Sequence, residues 1–75
     1  MADKTLDTKG LACPLPILKT KKALADLPRG GTLEVLATDP GSLPDIMAFS
    51  QASGNALIEH SQEGGVWRFV LRKTA

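Results

Sequence analysis

Glycine and proline divide this chain into six short stretches, and that punctuation constrains its fold more than any other feature. The breaks fall at Gly10, at Pro28-Arg29-Gly30-Gly31, at Asp39-Pro40-Gly41, at Gly54 and at Glu63-Gly64-Gly65. Each is a turn or stop signal. The chain has 75 residues and a single cysteine, Cys13, so no internal disulfide can staple it. One domain, residues 1–75, must close one small core. A chain of this size buries only about 60% of the surface it exposes when unfolded.

The stretches alternate in type. Residues 5–8 alternate weakly and predict a short strand. Ile17, Thr20, Leu24 and Leu27 fall at i, i+3, i+7 and i+10, one face of a helix, with Lys19, Lys22 and Asp26 pointing the other way. Residues 32–38 are apolar and β-branched and predict a central strand, with Leu33 and Val35 on one face and Leu36 on the other. Ser42-Leu43-Pro44-Asp45 matches a capping box, with Ser42 at N-cap and Asp45 at N3. The helix that follows runs to about Ser53 and is expected to bury Ile46, Phe49 and Met47. Residues 56–61 predict a third strand and residues 66–72 a fourth, joined by a hairpin turn at Glu63-Gly64-Gly65. In the fourth, Trp67, Phe69 and Leu71 share one face, and Arg68 and Arg72 the other. The order is β-α-β-α-β-β. The expected fold is α/β, a two-layer sandwich: a mixed four-stranded sheet with both helices on one face, the first two strands parallel and the last two antiparallel.

Composition excludes several classes of function. The net charge is +1, which gives no electrostatic footprint for nucleic acid. Trp67, Phe49 and Phe69, the three aromatic residues, are expected mostly in the core and form no stacking platform. No apolar run approaches the roughly 18 residues of a membrane span. Residues 1–5 lack the apolar core of a signal peptide. A free thiol suits a reducing compartment, so a cytoplasmic location is expected. One cysteine and one histidine cannot supply a four-ligand zinc site. There is no Cys-x-x-Cys for thioredoxin-type exchange. Gly30-Gly31 and Gly64-Gly65 read as turns, since neither has the spacing of a phosphate-binding loop.

The chemistry therefore falls on Cys13, in the run Gly10-Leu11-Ala12-Cys13-Pro14-Leu15-Pro16. Pro14 and Pro16 suit the start of a helix, where a missing N–H costs nothing. Pro16 disfavours the α region at Leu15, so the helix begins at this turn or only at Pro16. In either register Cys13 stands at the helix mouth or just outside it. A helix N-terminus favours the thiolate, the nucleophilic form. A lone cysteine is ordinarily a small buried hydrophobe. One placed between a glycine turn and a Pro-x-Pro segment lies outside any element interior, in a loop held by rigid neighbours. Lys9, Lys19 and Lys22 could lower its pKa or receive an acidic partner; the plain alternative is a solvated helix face. His60, the only histidine, lies beyond both helices in sequence and reads as a surface strand residue. A nucleophilic cysteine with neither base nor resolving thiol is suited to accepting a group from a donor and handing it on.

Leu6-Asp7, Gly10-Leu11, Cys13-Pro14-Leu15-Pro16, the lysine-rich first helix, Asp39-Pro40-Gly41-Ser42, Asp45-Ile46, Phe49, Gly54 and the closing Trp67-Arg68-Phe69-Val70-Leu71-Arg72-Lys73 together resemble the TusA/SirA family of small sulfur carriers. The likeness covers nearly the whole chain, and Cys-Pro-x-Pro is its most specific element. It implies the two-layer β-α-β-α-β-β fold shared with the C-terminal domain of a translation initiation factor. It implies that Cys13 carries sulfane sulfur as a persulfide, with no other cofactor and no metal. The donor would be a cysteine desulfurase or a rhodanese-type protein, and a downstream acceptor protein would take the sulfur. The protein would be a relay rather than a stand-alone turnover enzyme. Pro14, Pro16 and Gly10 would shape the loop, and Asp45 would be a partner contact. Members devoted to transfer-RNA thiolation typically carry glutamate between the two prolines. Leu15 offers an apolar contact instead, which counts against that role. Supply to molybdenum-cofactor enzymes, sulfur-compound oxidation and general sulfur trafficking stay open. Two other readings remain at this point. One is a nucleic-acid-binding module using Lys19, Lys21, Lys22, Arg68 and Arg72. The other is a regulatory domain in which Cys13 is structural.

Overall fold

The structure is a computed structural model that describes residues 3–12 and 14–74. Six elements follow the predicted order: β1 (Lys4–Thr8), α1 (Leu15–Ala25), β2 (Thr32–Ala37), α2 (Ser42–Ser53), β3 (Ala56–Glu63) and β4 (Val66–Arg72). They form one sheet of order β1-β2-β4-β3. β1 and β2 are parallel, while β4 runs antiparallel to both β2 and β3.

Period-two patterning in the central strands builds the core. Leu33, Val35 and Ala37 of β2 and Phe69 and Leu71 of β4 point to the same side and are buried. Ala23 and Leu24 of α1 and Ile46 of α2 complete one cluster, with Leu6, Ile17, Leu27, Leu43, Phe49, Leu57 and Trp67 packed around it. A single cluster fed by both helices means that both lie on the same face, as expected. Each fully buried leucine, isoleucine or phenylalanine contributes roughly 1.5–3 kcal/mol. Trp67 stacks on Phe69 with ring centroids 5.9 Å apart and planes 11° from parallel.

Three local expectations need correction. Ser42 is the first residue of α2 rather than its cap, and its Oγ is buried with no hydrogen-bond partner. Asp45 makes no cap either. The turn before the helix takes over. The Asp39 carboxylate accepts the Gly41 N–H at 3.1 Å, and the Asp39 carbonyl accepts the Ser42 N–H at 3.0 Å. An aspartate that folds back on its own backbone two residues on is a turn former. Met47 is exposed rather than buried, because Ile46 takes the inward position and the next residue is rotated by about 100°. β3 runs to Glu63, two residues past its expected end. A bulge between Leu57 and Glu59 leaves Ile58 exposed.

Glycines close the elements where a positive φ is needed. Gly54 (φ 80°) ends α2 with its N–H on the Ser50 carbonyl. Gly64 (φ 58°) and Gly65 (φ 78°) make the hairpin turn, the geometry that matches strand twist. At the C-terminal end of α1, Lys73 Nζ donates to the carbonyls of Ala25 (3.3 Å) and Leu27 (2.8 Å). It satisfies orphan acceptors and complements the negative end of the helix.

The other face of the sheet carries an ion network. Arg68 donates to the carboxylates of both Glu34 and Glu59, and Thr5 Oγ1 donates to Glu34 at 3.2 Å. The hydrogen bond from the Arg68 guanidinium holds the Glu34 carboxyl below its ordinary value, despite partial burial that acts the other way. Val70 lies between Glu34 and Glu59 in the register and is buried. Leu36, the residue opposite Leu33 and Val35, sits on this face, half-buried between Asp7 and Arg68.

Candidate functional site

Parallel pairing of β1 and β2 sends both strands toward the same end of the sheet. The loops leading into α1 and α2 both start there, the usual place for sites in parallel sheets. β1 ends at Thr8, fully buried, whose Oγ1 donates to the Leu36 carbonyl at 2.6 Å. The chain then turns: Lys9 N–H donates to Asp7 Oδ1 at 2.9 Å and Leu11 N–H to the Thr8 carbonyl at 3.1 Å. Gly10 has φ 82° with open space where a Cβ would sit, so backbone conformation alone demands glycine here. Its N–H donates to Thr38 Oγ1 at 2.9 Å. That bond ties the loop before α1 to the loop before α2.

Beyond the turn, Leu11 is half-buried and Ala12 exposed. Position 13 lies outside the described residues, so the expected placement of Cys13 at the helix mouth has no structural counterpart here. Its other neighbour, Pro14, is exposed and occupies the N-cap position of α1. The helix begins at Leu15, the earlier of the two expected registers, with Pro16 buried in its first turn and accepting a hydrogen bond from Thr20 Oγ1 at 2.7 Å. The prolines have a second effect that sequence reasoning overlooked. Pro14 and Pro16 carry no N–H, and the Leu15 N–H is already bound to the Ala12 carbonyl at 2.9 Å. Leu18 N–H makes a regular bond to the Pro14 carbonyl. The mouth of α1 therefore offers a helix dipole with few N–H donors, unlike an ordinary anion-binding N-terminus. There is also no acidic residue in the first turn, so nothing there opposes a thiolate.

The other candidates divide by location. Lys9 is exposed beside the loop and 3.9 Å from Asp7. Leu15 and Leu18 are 45% and 56% exposed, an apolar pair on the first turn of α1. Sequence reasoning singled out Leu15 only; Leu18 three residues on could have been found from helical spacing. Asp45 is half-buried in the first turn of α2, next to Gly41, where an added Cβ would come within 3.7 Å of its Oδ2. Lys19 and Lys22 stand further along α1, in a groove with Lys4 of β1, one to two turns beyond the motif.

His60 is exposed on β3, at the sheet edge opposite β1. Among the described residues no group of three or more histidine, aspartate or glutamate side chains could hold a metal ion. Arg68 is engaged by two carboxylates, and Phe69 is buried in the core. No helix of the described residues is long and apolar enough to cross a membrane.

Comparison with known proteins agrees with this architecture. The family described as "Sulfurtransferase TusA" matches residues 4–73. The chain is 49% identical to the sulfur carrier protein TusA of Allochromatium vinosum, across 96% of this chain and 95% of that one. It is also 49% identical to the putative sulfur carrier protein YrkI of Bacillus subtilis, with 96% of each covered. A SirA-like protein from Desulfitobacterium hafniense superposes with a TM-score of 0.83 at 28% identity, covering 96% of this chain and 99% of that chain.

Proposed function

The chain belongs to the TusA family, and from that membership we propose that it is a sulfur carrier whose Cys13 takes up sulfane sulfur as a persulfide and passes it to an acceptor protein. The observation that best supports this reading is the setting of position 13. It is flanked by the exposed Ala12 and Pro14, in a loop fixed by Gly10 at the end of the sheet where both helices begin.

The chemistry needs no base and no oxidant. The Cys13 thiolate attacks the outer sulfur of a donor persulfide; a new S–S bond forms on Cys13 while the donor's S–S bond breaks, and the donor cysteine leaves as a thiolate. The second step is the mirror of the first. An acceptor thiolate attacks the terminal sulfur and Cys13 departs as the thiolate. The sulfur is held covalently, so no separate cofactor is required. The dipole of α1 favours the anionic forms of Cys13 in both steps. Gly10, Pro14 and Pro16 fix the loop. Lys9, Leu15 and Asp45 would touch a partner seated over it. Donor and acceptor must both reach the same sulfur, so the complexes are transient, with interfaces at the small end of the range. The exposed Leu15 and Leu18 suit partners that present an apolar surface.

Intact mass spectrometry tests the proposal. After incubation with a cysteine desulfurase and cysteine, or with a rhodanese-type donor, the protein should gain one sulfur atom, about 32 Da, removable by reductant and absent in Cys13→Ser. A thiol that reacts with alkylating agents yet takes no sulfur from either donor would overturn the carrier reading.

A further inference from the structure

Three of the nine lysine and arginine side chains meet in one groove between α1 and β1. Lys4 comes from the strand, and Lys19 and Lys22 from the helix. Leu6 and Ala23 supply its apolar surface, and Asp26 stands at the end of α1. None of the three lysine side chains has an ion pair or hydrogen bond among the described residues. The contrast with other cations is sharp: Arg68 is held by two carboxylates, Lys73 by two carbonyls, and Lys9 faces Asp7. Asp26 does not pair with its neighbours either. Like charges three residues apart on a helix repel, so Lys19 and Lys22 carry a repulsion that an incoming carboxylate would relieve.

The groove is also in line with the sulfur-bearing loop. Leu15, Lys19, Lys22 and Asp26 follow one another at i, i+4, i+7 and i+11 along a single stripe of α1. From Leu15 to Lys22 the helix rises about 10 Å, the length of some three extended residues. A protein seated over the loop can thus reach the groove with a short continuation of chain.

We propose that this groove docks an acidic, extended segment of a sulfur-exchanging partner protein. Carboxylates lie against Lys4, Lys19 and Lys22, and an apolar side chain rests on Leu6 and Ala23. The identity of the partner as a sulfur donor or acceptor rests on the carrier reading above; the acidic docking does not. Such contacts steer encounter and fix register more than they add affinity.

The test is an amide chemical-shift titration of the full chain with a synthetic eight-residue peptide alternating glutamate and leucine. The expected shifts centre on Lys4, Leu6, Lys19, Lys22 and Ala23, and they fade between about 50 and 300 mM salt. Lys19→Glu combined with Lys22→Glu should weaken binding about tenfold or more, while Lys21→Glu, outside the groove, should leave it within about twofold. The milder Lys19→Gln with Lys22→Gln serves if the charge reversals disturb folding. Shifts spread equally over Lys9, Lys21, Arg29 and Arg72, or binding indifferent to the double substitution, would overturn the proposal. So would a single-stranded RNA that occupies the groove when the peptide does not. Loading of the wild-type chain with inorganic polysulfide, read by mass, separates the two readings. Loading that fails while groove binding persists sinks the carrier reading and leaves the acidic site standing.

Discussion

Ser42 shows how a residue can match a motif and play another part. The sequence Ser-Leu-Pro-Asp has the spacing of a capping box, yet Ser42 already lies inside α2 with its hydroxyl buried and unpartnered. An unsatisfied buried hydroxyl costs free energy that an alanine would not. Ser42→Ala should therefore leave thermal stability unchanged or raise it, where a true N-cap serine would lose about 1 kcal/mol. Asp39→Ala is the substitution that should cost about 1 kcal/mol, since Asp39 holds the turn into the helix. Thermal denaturation of the two variants checks both. Glu34 gives a second residue-level expectation. Its carboxyl titrates below the ordinary glutamate value because Arg68 donates to it. The folded pKa is depressed, so this contribution is present above the unfolded value and disappears as pH falls through the folded one. In Arg68→Ala an NMR titration should find the Glu34 midpoint shifted upward. An unmoved midpoint would mean that the ion pair is absent in solution.

At the scale of elements, breakers and periodicity carried most of the information. Gly54 and the Gly64-Gly65 pair sit where positive φ is required, and the alternation in residues 32–37 correctly separates Leu33 and Val35 from Leu36. The first helix was legible from Thr20 and Leu24, which are buried. What could not be read is long-range. The Arg68–Glu34 pair depends on β4 inserting between β2 and β3, and nothing local announces that order. The burial of Val70 on the polar face follows from the same insertion. Met47 is exposed against expectation, because a helix pattern with Ile46, Met47 and Phe49 leaves the width of the buried stripe undetermined. At the site, the Gly10 turn and the start of α1 were readable from glycine and proline, whereas the convergence of Lys4 with Lys19 and Lys22 required the packing of β1 under α1. The stacked pair in β4 offers a test of this packing. Phe69 is fully buried and Trp67 only half so. Phe69→Ala should cost roughly 3–5 kcal/mol and Trp67→Ala about 2 kcal/mol, measured by urea denaturation. Equal losses would place the tryptophan in the core after all.

For the whole molecule, stability is concentrated in the middle of the sheet and the proposed chemistry at its margin. β2 and β4 supply five of the eight residues in the buried cluster, and neither edge strand supplies any. The loop that bears position 13 leaves β1, an edge strand. A partner can therefore rearrange that loop without disturbing the central strands. Local stability should follow the same order. Native-state hydrogen exchange should be slowest at the amides of Leu33, Val35, Phe69 and Leu71, near the global unfolding free energy, and clearly faster at those of Gly10, Leu11 and Ala12. Position 13 is bracketed by exposed residues, so Cys13→Ser should leave this protection pattern intact and change stability by no more than about 0.5 kcal/mol under reducing conditions. Loss of protection in β2 and β4 on that substitution would assign the cysteine to the packing of the domain. Preserved protection, together with lost sulfur loading, would separate the thiol's chemistry from the fold that presents it.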